Sequence, residues 1–293
     1  MALVMPCDRF SGQLNFFAGG ADDSQFANTS NEYLKKFSAF IAEHMDENFV
    51  LEVKKLESEI EKGLFFESTI PQGYGLGSSG ALVVAIFLRY LKKAKEFKDE
   101  MKDFTWEKVQ RLKEYLSKLE SFFHGTSSGL DPLSIILNEP ILFRNPDDIS
   151  VVKLPERLEE GKNVIFLLNT GITRTTSKLV NKFSELHKDP IFKDKVSRLL
   201  VPYTNESIQS FLASDTETMY KSIDKLSRFQ YEEMEYFIPS PFQKIVKNGI
   251  NHGDYFMKLC GAGGGGYMLG FTSNWSATLE RLSEHKLDVI YRF

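Results

Sequence analysis

From Thr105 to Phe123 the chain reads TWEKVQRLKEYLSKLESFF, with Val109, Leu112, Leu116, Leu119 and Phe123 spaced three, four, three and four apart. That period puts all five on one face and predicts an amphipathic helix. Asn163 to Asn169 (NVIFLLN) is instead an unbroken apolar run closed by Thr170-Gly171, which predicts a buried strand. A further apolar run, Ala81 to Leu88, follows a Gly- and Ser-rich turn and reads as a helix. Residues 173–188 and most of 191–235 predict helices. Tyr255 to Cys260, the run GAGGGG and Tyr267 to Phe271 predict strand, glycine loop and strand, and the tail LDVIYRF a last strand. Lys92 to Asp103 (KKAKEFKDEMKD) is charge-dense and predicts a solvated helix end with its connection. There are no internal repeats. Strands mixed with long helices imply an α/β or α+β protein, divided near Asp147 to Gly161.

Composition narrows the function classes. The 293 residues are 42% hydrophobic and 26% charged, enough for one large or two ordinary domains with a full core. A formal net charge of −4 and a pI of about 5.8 argue against nucleic acid as a partner. No apolar stretch is long enough to span a membrane, and MALVMPCDRF lacks the pattern of a signal peptide. Cys7 and Cys260 fit no metal or redox spacing, so a cytoplasmic location is expected. The 25 phenylalanines read as core filling only.

Gly75-Leu76-Gly77-Ser78-Ser79-Gly80 fits the dinucleotide pattern G-x-G-x-x-G. Pro71-Gln72-Gly73-Tyr74 precedes it, however, and proline removes a donor where the parallel strand should run. Glu96 and Asp99 are indifferent candidates for the acidic residue downstream, and no Lys-Ser or Lys-Thr follows to make a P-loop. Two readings remain: a helix capped by serine with glycines for the turn, or a phosphate cradle at a helix N-terminus. A bound phosphate would gain on the order of 0.3–1 kcal/mol from the helix dipole.

Two carboxylates stand out. Glu120 falls on the shoulder of the apolar stripe, as Lys113 does, and is either an edge residue reaching water or a cation ligand at the lip of a cleft. Mg²⁺ favours one or two carboxylates together with nucleotide phosphates. Asp131-Pro132 is either an N-cap followed by proline, or the acid of an active-site loop that begins at His124. His124 by itself reads as a structural residue near a turn.

Together these segments resemble the galactokinase, homoserine kinase, mevalonate kinase and phosphomevalonate kinase (GHMP) superfamily. PQGYGLGSSGA resembles its P-x-x-x-G-L-G-S-S-A phosphate loop, with Gly80 in place of alanine. ESFFHGTSSGLDPLS (residues 120 to 134) resembles the H-G-x-x-S-G-x-D stretch of the mevalonate kinases, glutamate included. KLCGAGGGGYMLGF (residues 258 to 271) resembles the C-terminal glycine motif, and NTGITRTTSKLV the stretch with Thr-Gly, Arg and Thr before a helix. The resemblance implies an α+β, two-domain GHMP-kinase-like fold. Residues 1–155 would form an N-terminal, ribosomal-protein-S5-like ATP-binding domain, and residues 156–293 a C-terminal, ferredoxin-like α/β domain.

The implied activity is ATP-dependent phosphorylation of a small alcohol, with mevalonate giving 5-phosphomevalonate for isoprenoid precursors. A GHMP sugar kinase or a non-catalytic ATP-binding relic are the alternatives. ATP would be wrapped by residues 72 to 80, with Pro71, Gly73, Gly75, Leu76, Gly77, Ser78, Ser79 and Gly80 in the loop. Mg²⁺ would lie at Ser79 and Glu120, and Asp131 would act on the substrate hydroxyl. His124, Thr170, Arg174 and Thr176 are weaker substrate candidates. Gly261, Ala262, Gly263 and Gly264 would support the phosphate loop. A homodimer is compatible with the sequence and not fixed by it. The family's first motif, a strand with P-G-K and then G-E, is absent. Truncation of a longer protein, or a member that works without the motif, would explain this, and truncation is favoured because the strand and its lysine disappear together.

Overall fold

The computed structural model describes residues 1–5, 11–16, 24–70, 74–101, 105–145, 148–173 and 176–293, with backbone only for Ser24, Phe26, His124, Thr176 and Ser177. The first elements are β1 (Ala2–Val4), β2 (Gly12–Phe16), α1 (Ser24–Glu43), α2 (Val53–Glu61) and β3 (Leu64–Ser68). Next come α3 (Ser78–Tyr90), α4 (Ala94–Glu100), α5 (Trp106–His124), α6 (Leu130–Leu137), β4 (Ile141–Asn145) and β5 (Asp148–Val151). Then follow β6 (Val164–Asn169), α7 (Thr176–Leu186), α8 (Pro190–Lys195), α9 (Val201–Leu212), α10 (Thr216–Glu233) and α11 (Ser240–His252). The chain closes with β7 (Phe256–Leu259), β8 (Tyr267–Thr272), α12 (Trp275–Arg281) and β9 (Leu287–Arg292).

The fold consists of two compact units. One joins Val4–Ile70 to Gly77–Glu139; the other joins Met1–Leu3, Pro71–Leu76 and Pro140–Phe293.

In the first unit α3 is the central helix, packed against α5, α6 and β2. Its residues Val83, Ile86, Phe87 and Tyr90 are fully enclosed, which is why the run from Ala81 reads apolar almost all round. The stripe predicted on α5 is the buried face, with Leu112, Leu116 and Leu119 at its centre. Helix α1 gave no clear signal because its buried stripe contains Asn31 and Ser38. The Asn31 amide donates to Ile60 O and Leu64 O, at 2.8 and 2.7 Å, so a polar side chain there closes a backbone gap instead of facing water. β2 and β3 form an antiparallel pair, Gly12 opposite Ser68 and Phe16 opposite Leu64.

The second unit is built on a four-stranded antiparallel sheet in the order β7-β8-β6-β9. With these four strands numbered in chain order, the arrangement is 2-3-1-4, the ferredoxin-like order that was expected. β6 is central and buried from Val164 to Leu168, which accounts for an apolar run without alternation. Val164, Phe166 and Leu168 pack on Phe229, Phe237 and Val246 from the helices that cross between β6 and β7. The helical stretch through residues 190–212 carries Pro202, which has no N–H to give. The turn before it, Val196–Leu200, widens to a π-helix and accommodates the proline without breaking the helix. β1, β4 and β5 form a separate three-stranded sheet. No helix among the described residues is long and apolar enough to cross a membrane.

Candidate active site

The turn before α3 is not a serine cap. The N-cap is Gly77, in the left-handed conformation at φ +71°, a residue with no side chain to cap with. The first helical hydrogen bond runs from Ala81 N to Gly77 O at 2.9 Å. An α-helix cannot satisfy the N–H groups of its own first turn, and a helix N-terminus of this kind suits an anion. The Ser79 hydroxyl is directed elsewhere: it donates to Glu120 Oε1 at 3.0 Å.

Glu120 does not reach water. It is 4% exposed, because the shoulder of α5 that carries it is covered by α3 and α6. Its second oxygen, Oε2, accepts from the Ser127 hydroxyl. Ser127 Oγ also accepts from Gly129 N at 3.0 Å, and the Ser127 carbonyl accepts from Ser117 Oγ at 2.6 Å. One buried carboxylate thus links the first turn of α3 to the loop leading into α6.

Asp131 does not cap its helix either. The N-cap of α6 is Gly129 at φ +71°, so Asp131 is the second residue inside the helix, and it is exposed. A β-carbon on Gly77 would lie 3.2 Å from Asp131 Oδ2, which places the carboxylate beside the start of α3. The first turns of two helices, each begun by a left-handed glycine, therefore meet at Gly77 and Asp131, with Ser79 and Glu120 in the same cluster. Sequence reasoning did not single out Ser127. Its only signal was its position between Glu120 and Asp131.

The other unit holds further candidates around a glycine turn. Gly261, Gly263 and Gly264 all have positive φ, and Gly264 N donates to Phe237 O at 2.6 Å. Gly266 is the tightest point: a β-carbon there would stand 2.3 Å from Tyr74 O. The Tyr74 and Tyr267 rings meet edge-on at 5.5 Å. Thr170 is buried and its hydroxyl donates to Gly266 O at 2.7 Å, so this side chain holds the glycine turn in place. Gly75, at φ +74°, follows Tyr74, and Leu76 is half-buried. Ala262 lies within the turn. Pro71, Gly73 and Arg174 fall outside the described residues. The backbones of His124 and Thr176 close α5 and open α7 respectively, and their side chains are likewise outside the description.

Among the described residues no group of three or more His, Cys, Asp or Glu is placed to hold a metal ion. Glu120 and Ser79 nonetheless supply the hard oxygen donors that Mg²⁺ takes from a protein when phosphates and water complete its shell, and in that sense the residues fit.

Comparison with known proteins is consistent with this geometry. Residues 32–139, which include α3, Glu120 and Asp131, match the GHMP kinases N terminal domain. In that segment the chain is similar to the GHMP kinases. Its relatives include the mevalonate kinase erg12 of Aspergillus fumigatus, 26% identical over 217 residues that cover 68% of this chain and 39% of that protein. A mevalonate kinase of Thermococcus sibiricus is 28% identical over 229 residues, covering 75% of this chain and 62% of its own length. The chain thus spans about two-fifths to three-fifths of these relatives. In fold it is similar to L. major mevalonate kinase solved with R-mevalonate, with a TM-score of 0.61 at 16% identity, covering 99% of this chain and 90% of that one.

Proposed function

We propose that this protein transfers the γ-phosphoryl group of ATP to the hydroxyl of a small molecule, and that the acceptor is mevalonate, giving 5-phosphomevalonate. The observation that carries the reading is the exposed Asp131 carboxylate beside Gly77, at the first turn of α3, in one cluster with Ser79 and the buried Glu120. Phosphoryl transfer needs positioning and charge neutralisation more than covalent chemistry, and this cluster offers both.

The N–H groups of the first turn of α3 receive phosphate oxygens. Asp131 accepts a hydrogen bond from the acceptor's hydroxyl and takes its proton as the oxygen bonds to the γ-phosphorus. The bond from that phosphorus to the β-bridging oxygen breaks, and ADP leaves. Glu120 and Ser79 would hold Mg²⁺, which supplies neutralisation of phosphate charge when bound. The mevalonate kinase relatives support the choice of acceptor.

The test is ADP release from Mg²⁺-ATP with mevalonate, galactose or other small alcohols. Release with mevalonate, lost in Asp131→Ala, is expected. Release with galactose alone would replace the acceptor. Silence with every acceptor, from a folded protein that binds ATP, would overturn the kinase reading.

A further inference from the structure

We propose that Ser127 is a positioning residue that fixes the orientation of the Glu120 carboxylate and thereby sets the affinity of the site for Mg²⁺. The inference rests on the kinase reading above. Ser127 lies at a position that the H-G-x-x-S-G-x-D pattern leaves open, so the pattern does not require a hydroxyl there.

The structure gives that hydroxyl two partners. It donates to Glu120 Oε2 and accepts from Gly129 N at 3.0 Å. Its own backbone is held in turn by the Ser117 hydroxyl, 2.6 Å from the Ser127 carbonyl. Glu120 is 4% exposed, and its other oxygen accepts from Ser79. A glutamate carboxylate can turn about its last torsion, whose well is broad. With a hydroxyl on each oxygen that rotation is restrained, and the lone pairs not used by the serines keep a fixed direction. The same serine joins the carboxylate to Gly129, the N-cap of the helix that carries Asp131. A shift of Glu120 would therefore be felt at Asp131, and a shift of α6 at Glu120.

The measurement is the Mg²⁺ dependence of binding of a non-hydrolysable ATP analogue, followed by calorimetry with no acceptor present. Wild type, Ser127→Ala, Ser127→Thr and Ser127→Cys are compared, with a thermal melt of each. Removing a partner that orients a metal ligand typically costs about ten-fold or more in metal affinity. Ser127→Ala is expected to need about ten-fold more Mg²⁺ for the same occupancy, with analogue affinity near wild type once Mg²⁺ saturates. Ser127→Thr keeps the hydroxyl and is expected to stay close to wild type. If Ser127→Ala melts below the assay temperature, Ser127→Cys decides, since it keeps the size and offers only a weak donor.

An unchanged Mg²⁺ requirement in the alanine variant, or in the cysteine variant where that one decides, would overturn the proposal. So would a threonine variant as impaired as alanine. Failure of the wild type to bind the analogue at any Mg²⁺ concentration would remove the kinase reading itself and this proposal with it.

Discussion

A β-carbon on Gly80 would stand 3.1 Å from Asp131 Cβ and 3.0 Å from the backbone nitrogen of Pro132. The closest neighbour is backbone, so it can move only if the first turn of α6 moves with it. Gly80→Ala, which restores the alanine of the phosphate-loop pattern, therefore separates stability from activity. Alanine in a helix is favoured over glycine by roughly 1 kcal/mol, and that gain offsets a displacement of a few tenths of an ångström. The melting temperature is expected to stay level or rise. Turnover is expected to fall several-fold, up to about ten-fold, because Asp131 is displaced from the first turn of α3. Steady-state kinetics alongside a thermal melt checks this; equal turnover in the two proteins would show that the close approach is not needed for the chemistry.

Glu120→Gln tests the buried carboxylate without changing its volume. The amide nitrogen would face one of two hydroxyls, and a serine hydroxyl can rotate to accept where it formerly donated. The fold is expected to persist with a melting shift of a few degrees, corresponding to about 1 kcal/mol. Phosphoryl transfer is expected to drop by about two orders of magnitude, as for other losses of preorganised charge stabilisation. A variant that retains more than a tenth of the activity would move the metal-binding role away from Glu120.

Tyr115 and Tyr90 make a paired prediction for pH. Both phenols are buried, and burial is the main cause that pushes each up from the usual tyrosine range. For Tyr115 the nearby charge of Asp46 adds to it, and for Tyr90 the hydrogen bond to Glu59. Folding disfavours the tyrosinate, so the folded value lies above the unfolded one. The associated stability is complete below about pH 10 and is lost as pH rises through the folded value. Tyr115 Oη has no hydrogen-bond partner among the described residues, whereas Tyr90 Oη donates to Glu59 Oε2 at 2.7 Å. Tyr115→Phe is therefore expected to stabilise by up to about 1 kcal/mol near neutral pH, and to unfold less readily above pH 10. Tyr90→Phe removes a bond to a charged partner and is expected to destabilise by roughly 1.5–3 kcal/mol near neutral pH. Urea titrations at pH 7.5 and pH 11 distinguish them, and the idea fails if both variants move the same way at pH 7.5.

Much of the fold could be read in the sequence where one period or one run dominated. The α5 stripe is such a case, and so is β6, whose two covered faces leave no alternation to misread. Residues 11–70 were silent for a physical reason: α1 buries Asn31 and Ser38 within its stripe, so hydrophobicity alone does not trace the face. The candidate site was legible as chemistry and not as local structure. Ser78 and Asp131 both suit N-caps, yet both helices start from left-handed glycines and leave those side chains beyond the cap. The burial of Glu120 depends on how α3 and α6 cover one shoulder of α5, a tertiary fact that a helical wheel cannot supply.

Gly266 and Gly171 separate two reasons for a glycine. Both have positive φ, +70° and +66°, so alanine at either meets the same conformational cost of about 1 kcal/mol or somewhat more. At Gly171 an added β-carbon would meet nothing among the described residues within 4 Å, whereas at Gly266 it would stand 2.3 Å from Tyr74 O. Gly266 also donates to Ile172 O at 2.7 Å and accepts from Thr170, so the turn cannot retreat without breaking those bonds. Gly171→Ala is expected to cost only the conformational term. Gly266→Ala is expected to cost at least about 2 kcal/mol more, since a backbone clash is added to the same strain. The difference between the two denaturation free energies isolates the contact with Tyr74. Equal losses would mean that the glycine is there for its backbone angle alone, and that Tyr74 can move away from the turn at no measurable cost.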